Sequence, residues 1–343
     1  MEKSRLLYYI KLLAIPIAAA LILRFVFNVE SWEDIWTVMS ISFFLGLPYL
    51  VGVITIYLSK IEKVQSRIYQ FFFPWIPILA FFLITLILSL EGWACWIMIL
   101  PIFMILSGLG GLTAGYIRLK KSSTLNRLQL SVAIVLPLIA SPIEQIVGPG
   151  RSTFKANTSI EINASKERIW KHVTRIYEIS EEEDRGIVSK WLGIPRPVRA
   201  ELNYEGLHAE RKAMFTGGLI FTETVTAYEH QRFMMFHIEP NTGEIPSTTF
   251  DEHVLIGGQY FDVLKGTYEL KEIGNDQYQL NLWSEFEVNT TFNFYAGLWA
   301  NWIMKDIQNN ILNIIKTRCE AHTEISGKKI LSNRNPRREE RQR

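Results

Sequence analysis

Apolar residues in the first half of the chain do not alternate with polar ones; they run on without interruption. Such runs cover about residues 6–27, 36–58, 71–90, 93–117 and 128–147. Each approaches the roughly 20 residues that carry a helix across a bilayer. They predict an all-α transmembrane domain of about five helices over residues 1–148. The first run is too long, and too closely followed by the second, for a cleaved signal peptide. The fifth is the weakest, with Pro137 and Pro142 inside it and Glu144 near its end. It is read here as spanning, the alternative being a re-entrant or interfacial segment.

Beyond Gly148–Gly150, read as a hinge, the period changes. An alternating run over Thr158–Asn163 predicts a strand. Ser165 then caps a helix with Glu167 in its first turn and Ile169, Trp170, Val173 and Ile176 on its apolar face. Further strands are predicted over Ala209–Phe215, Leu219–Tyr228, Arg232–Glu239, Gln259–Lys271 and Gln277–Val288. Between them lie Gly217–Gly218, the turn Glu229–Gln231, a loop over Pro240–Phe250, Gly257–Gly258 and the hairpin turn Asn275–Asp276. The proline-punctuated stretch Trp191–Pro197 predicts a loop that either plugs the core or forms a mouth touching ligand or lipid. The period last becomes helical. Leu298, Trp302, Ile303, Ile307, Ile311, Ile314 and Ile315 fall on one stripe of a long helix over Phe294–Cys319, with Lys305, Gln308, Asn309, Asn313, Lys316 and Arg318 mostly opposite. So wide a stripe needs a partner surface, and the antiparallel meander supplies one. Residues 151–322 are therefore expected to form an α+β layer with a pocket between a curved sheet and the long helix. A basic, disordered tail is expected over 323–343.

Charge alters this picture by position rather than by sum. The formal net charge is only +2, so bulk charge points to no nucleic-acid partner. In the apolar half the basic residues alternate by loop. Lys3 and Arg5 precede the first run, Lys60, Lys63 and Arg67 follow the second, and Arg118, Lys120, Lys121 and Arg127 follow the fourth. The intervening loops hold Glu30, Glu33, Asp34 and Glu91. Basic loops face the cytoplasm. The expectation is an integral plasma (inner) membrane protein with a cytoplasmic N-terminus and an extracytoplasmic C-terminal domain. Trp32, Trp36, Trp75, Trp93 and Trp96 lie near run ends, as an aromatic belt does. Lys11 and Arg24 are placed to snorkel to the headgroups. Gly108, Gly110, Gly111 and Gly115 form a small-residue stripe that lets helices approach closely.

Candidate chemistry is sparse. No nucleotide loop, HExxH or CxxC pair occurs, and the six histidines are scattered without metal-ligand spacing. No metal and no cofactor is expected. Cys95 and Cys319 lie far apart and predict no disulfide framework. The acidic run Glu181–Asp184 lacks the spacing of a calcium loop and reads as a solvated face. Asn157, Asn163 and Asn289 head glycosylation sequons, which matter only in a glycosylating pathway. The polar and aromatic residues that would orient a ligand in an apolar pocket are Arg211, Glu223, His237, Tyr260, Trp283 and Glu285 on the strands and Trp299 and Trp302 on the helix. The competing reading makes Arg211, Glu223 and Glu285 cross-strand pairs on the solvent face, since a one-residue slip inverts a strand.

The order strand, helix, meander, long terminal helix resembles the START and polyketide-cyclase-like superfamily, the helix-grip fold. SIEINASKERIWKHV, with Ile160, Ile162, Ala164, Glu167, Ile169 and Trp170, is similar to its opening strand, cap and helix; Ser165–Lys166 stands where the family often has a proline. GGLIFTETV, with Gly218 and Glu223, and GTYEL, with Gly266 and Tyr268, resemble two of its strands. The likeness covers about residues 155–322 and none of the apolar half. It implies a hydrophobic cavity between sheet and helix but not one reaction.

Together these readings predict a membrane-anchored module that holds a lipid or another hydrophobic small molecule, with membrane lipids as its surroundings. Two alternatives stand beside it. One is a cyclase or hydrolase with Glu223, His237 or Glu285 as general base and Arg211 steadying an enolate. The other is a ligand-responsive membrane sensor or assembly protein.

Overall fold

The computed structural model of the protein describes residues 2–32, 35–90, 92–120, 123–148, 150–240 and 258–332. Of the stretches read above, Glu33, Asp34, Glu91, Lys121, Pro149, the predicted loop beyond Pro240, Gly257 and the tail from 333 lie outside the described residues. The chain divides into a helical unit up to Arg151, which also takes in Asn289–Ala296, and a sheet unit made of most of the remainder.

The helical unit contains α1 (Glu2–Val26), α2 (Ile41–Leu58), α3 (Ile61–Val64), α4 (Arg67–Phe72), α5 (Trp75–Ile87), α6 (Trp93–Leu119) and α7 (Ser123–Val147). Among the described residues, five stretches are long and apolar enough to cross a membrane: Arg5–Val26, Ile41–Leu58, Arg67–Ile87, Trp93–Leu119 and Arg127–Val147. The third run, predicted as one helix, is two. Pro74, which has no N–H to give to the preceding turn, stands at the N-cap of α5. Ser40 and Ser66 cap α2 and α4, accepting from the N–H groups of Phe43 at 3.2 Å and Tyr69 at 3.3 Å. Gly148, at φ 79°, ends α7, and its N–H donates to the Glu144 carbonyl at 2.9 Å. The glycine stripe of α6 makes the close approaches expected of it. A Cβ on Gly110 would meet the Tyr49 carbonyl, and one on Gly111 the Gln70 carbonyl. Gly52 of α2 is equally tight against the Ser107 carbonyl. Arg24 does not reach outward as predicted. It is buried, and its Nη2 donates to the Leu90 carbonyl at 3.4 Å. Within this unit Phe292 stacks on Phe44 at 4.4 Å, and the Ile41 N–H donates to Thr291 Oγ1 at 2.6 Å.

The sheet unit holds β1 (Ser152–Asn163), α8 (Lys166–Thr174), β2 (Arg175–Ile176), α9 (Val188–Trp191), β3 (Pro197–Leu202), β4 (Glu210–Phe215), β5 (Ile220–Glu229), β6 (Phe233–Pro240), β7 (Phe261–Gly274) and β8 (Gln277–Val288). Last comes α10 (Asn293–Ser332), whose first turn belongs to the helical unit. The strands form one curled antiparallel sheet, order β1-β8-β7-β6-β5-β4-β3-β2. Its first strand is therefore beside its last, and the meander fills the rest. This is the α+β helix-grip fold, preceded by helices apolar enough to span a bilayer.

Several local expectations change. β1 begins earlier than predicted, and β2 and β3 were not foreseen. Ser165 stands at the N-cap of α8, but through its backbone: its carbonyl accepts from Arg168 and Ile169 at 3.1 Å, while its side chain makes no capping bond. The Trp191–Pro197 stretch is largely a core plug, with Leu192 and Ile194 buried and Trp191 exposed. The Glu181–Asp184 run is not merely solvated. Glu183 binds Arg318 at 2.7 Å through both oxygens, and Asp184 pairs with Arg196 and accepts from Asn310 at 2.9 Å.

α10 departs most from its predicted stripe. Its sheet-facing line runs through Gly297, Asn301, Gln308, Leu312, Ile315 and Cys319, while Leu298 and Trp302 are exposed. Gln308 was assigned to the polar side, yet it is buried. Its amide donates to the Ala156 carbonyl at 3.2 Å and to Ser284 Oγ at 3.0 Å. A satisfied amide loses little on burial, and it lets the helix sit directly on β1. Gly297 serves the same contact, because a Cβ there would run into the Phe154 ring. α10 also continues to Ser332, into the stretch predicted to be disordered.

Candidate functional site

The inner face of the sheet follows from register. Arg211 on β4 lies directly opposite Glu223 on β5, and Glu223 opposite Ile238 on β6. Two residues along β6, Phe236 faces Gly266 of β7, and Met234 faces Tyr268. Arg211, Glu223, Phe236 and Tyr268 are thus neighbours on one face, and all are buried. Arg211 Nη1 donates to Glu223 Oε2 in a buried ion pair. Its guanidinium carbon lies 5.8 Å from the ring centroids of both Phe236 and Tyr268, within cation–π range. Gly266 is required there, since a Cβ would enter the Phe236 ring.

The electrostatics follow from this seclusion. Burial penalises the anion and raises the Glu223 carboxyl above its ordinary range, with Arg211 opposing. Burial likewise raises the Tyr268 phenol. The guanidinium is incompletely used, since Arg211 Nε is buried with no hydrogen-bond partner among the described residues. A buried donor left open is expensive. Arg211 shares the inner face with Val225, Met234 and Phe236 and with the Tyr268 phenol, which also approaches its guanidinium.

The other residues chosen from the sequence lie elsewhere. His237, Trp283 and Glu285 have the opposite strand parity and sit on the outer face. His237 Nε2 is 3.7 Å from Glu239, Glu285 is 3.9 Å from Lys265, and Lys155 covers the Trp283 ring at 4.8 Å. Tyr260 is buried just before β7. Trp299 is half-buried against Trp302, their ring centroids 5.2 Å apart, and Trp302 is exposed. The structure brings together Arg211 and Glu223 and separates them from these three outer-face residues. Phe236 and Tyr268 were not chosen. The signal for Tyr268 was available in its spacing from Leu270 and Gly266. For Phe236 there was none, because β6 is apolar on both faces. Among the described residues no three His, Cys, Asp or Glu side chains gather as a metal site would require.

No protein-family profile matches the chain, and no curated protein matches it. Solved structures do. A START superfamily protein from Mycobacterium smegmatis is 11% identical, with TM-score 0.32, covering 50% of this chain and 99% of its own. The Zhui aromatase/cyclase from Streptomyces sp. R1128 is 11% identical, with TM-score 0.33, over 51% of this chain and 99% of its own. Norcoclaurine synthase from Thalictrum flavum, solved with dopamine and hydroxybenzaldehyde, is 12% identical, with TM-score 0.31, over 50% and 89%. The helix-grip assignment itself stands on the strand order, register and helix contacts above.

Proposed function

We propose that the protein is a membrane-anchored binding module whose sheet unit takes a hydrophobic small molecule or lipid between sheet and α10. The observation that carries the reading is the open Arg211 Nε, a buried donor on an apolar face, paired on its other side with Glu223. Such a group orients the polar end of an otherwise apolar ligand, whose chain adds about 0.8 kcal/mol per buried methylene. Arg211 and Glu223 are the site residues of this proposal, with Tyr268 and Phe236 beside them.

The test is to extract the full-length protein with its lipid by polymer and to identify what it retains by mass spectrometry. A stoichiometric apolar molecule is expected. It should be lost in Arg211→Met and kept in Lys265→Gln on the outer face. Empty wild-type protein would end the reading. An enzyme remains the second reading because Glu223 is secluded with a raised pKa; His237 and Glu285, on the outer face, do not share its site. We further propose that the five apolar helices span the membrane with the N-terminus in the cytoplasm and the sheet unit outside.

A further inference from the structure

The helical unit carries a cleft that the binding module does not use. Its volume is about 500 Å³, and Tyr49, Arg67, Leu112, Thr113, Tyr116, Ile117 and Gln129 line it. These residues come from α2, α4, α6 and α7. Three polar heads meet on its wall. Tyr49 Oη and Thr113 Oγ1 are 2.9 Å apart, and Gln129 Nε2 donates to Thr113 Oγ1 at 2.9 Å and to Tyr49 Oη at 3.3 Å. Leu112 and Ile117 make the apolar part of the wall, Arg67 and Tyr116 complete it, and no carboxylate is among the described residues that line it. The Arg67 guanidinium has no hydrogen-bond or ion-pair partner among the described residues. Lys120 lies 4.3 Å over the ring of Tyr116.

Position fixes the kind of ligand. Ile41–Leu58 ends, Arg67–Ile87 begins, Trp93–Leu119 ends and Arg127–Val147 begins at one end of the helical unit, where Arg118 Nη1 donates to the Ser59 carbonyl at 2.6 Å and Gln129 reaches Thr113. At about 1.5 Å per residue, Gln129 is about 3 Å inside that end, Thr113 about 9 Å and Tyr49 about 14 Å. That depth runs from the headgroup layer into the upper acyl region. The same end carries Lys60, Lys63, Arg67, Arg118, Lys120 and Arg127, a basic collar that attracts anionic lipid. We propose that the cleft binds one phospholipid with an anionic headgroup, its phosphate on Arg67, its ester region on the Tyr49–Thr113–Gln129 node and its acyl chains along Leu112 and Ile117. This proposal is independent of the ligand of the sheet unit.

The test is native mass spectrometry of the full chain in detergent, titrated with phosphatidylglycerol or phosphatidylcholine. Wild type should hold one phosphatidylglycerol at least about tenfold more tightly than phosphatidylcholine. Arg67→Gln should lose about tenfold, the scale of one charge-assisted bond. Leu112→Trp, which fills the apolar floor without touching charge, should weaken both lipids. Lys63→Gln, in the collar but off the cleft, should cost phosphatidylglycerol far less than Arg67→Gln does and leave phosphatidylcholine unchanged. Equal binding of the two lipids, an unaffected Arg67→Gln, or an equal loss in Lys63→Gln would overturn the proposal. So would displacement of the lipid by millimolar inorganic phosphate, which would mark a small-anion site instead.

Discussion

Two buried charges govern the inner face of the sheet. Arg211 and Glu223 are each nearly sealed from water, so removing one leaves the other uncompensated. Arg211→Ala is expected to destabilise the sheet unit by about 3–5 kcal/mol, whereas Arg211→Met combined with Glu223→Leu is expected to be close to neutral. Denaturant titration of the three proteins checks this, and a double variant as unstable as the single one would refute it. At the surface Glu183 is the residue to watch. Hydrogen bonds from Arg318 hold its pKa down at about 2, against 4.5 ordinarily. A lowered carboxylate pKa stabilises above the unfolded value and loses that contribution as pH falls toward the folded one. The clamp should therefore be intact above about pH 5 and gone near pH 2. Arg318→Met should lower stability by about 1 kcal/mol at pH 7 and flatten melting temperature against pH in that window. An unchanged acid slope would show that the pair contributes nothing.

Glycine decides how the elements meet. Helices α2 and α6 approach until the backbone of one faces the backbone of the other, at Gly52 against Ser107 and at Gly110 against Tyr49. Backbone cannot retreat as a side-chain tip can. Gly52→Ala is expected to part the two helices and abolish monodisperse protein on size-exclusion chromatography. Gly150→Ala, with open space around it, should elute as wild type does. Well-behaved Gly52→Ala protein would mean that the helices tolerate a wider spacing. Element-level reading of the sequence did well where periodicity was one-sided. In β8, Leu280, Leu282 and Phe286 share a parity, and the strand was found with its bounds. It also found β6 to within one residue but could not assign its faces, because Phe233, Met234, Met235 and Phe236 are apolar on both. His237 could not be told from its neighbours there, and it lies on the outer face. Nothing in the local pattern announced that Gln308 would turn inward, because its partners on β1 and β8 are far away along the chain.

For the molecule as a whole, five spans would put the two ends of the chain on opposite sides of the membrane. A reporter fused at residue 343 should be active only outside the cytoplasm, and one fused at Met1 only inside. Both active on one side would remove a span and bring the sheet unit to the cytoplasm. The sequence by itself determined the apolar series of helices, the meander and the long terminal helix, because continuous and alternating hydrophobicity are local properties of a chain seeking one solvent or one face. Only the tertiary structure decided which side chains share the inner face. It set Arg211 and Glu223 together, left His237, Trp283 and Glu285 outside, and laid Gln308 on β1. Those outcomes depend on register across strands and on contacts between residues far apart in the chain, where a shift of one position reverses every side chain.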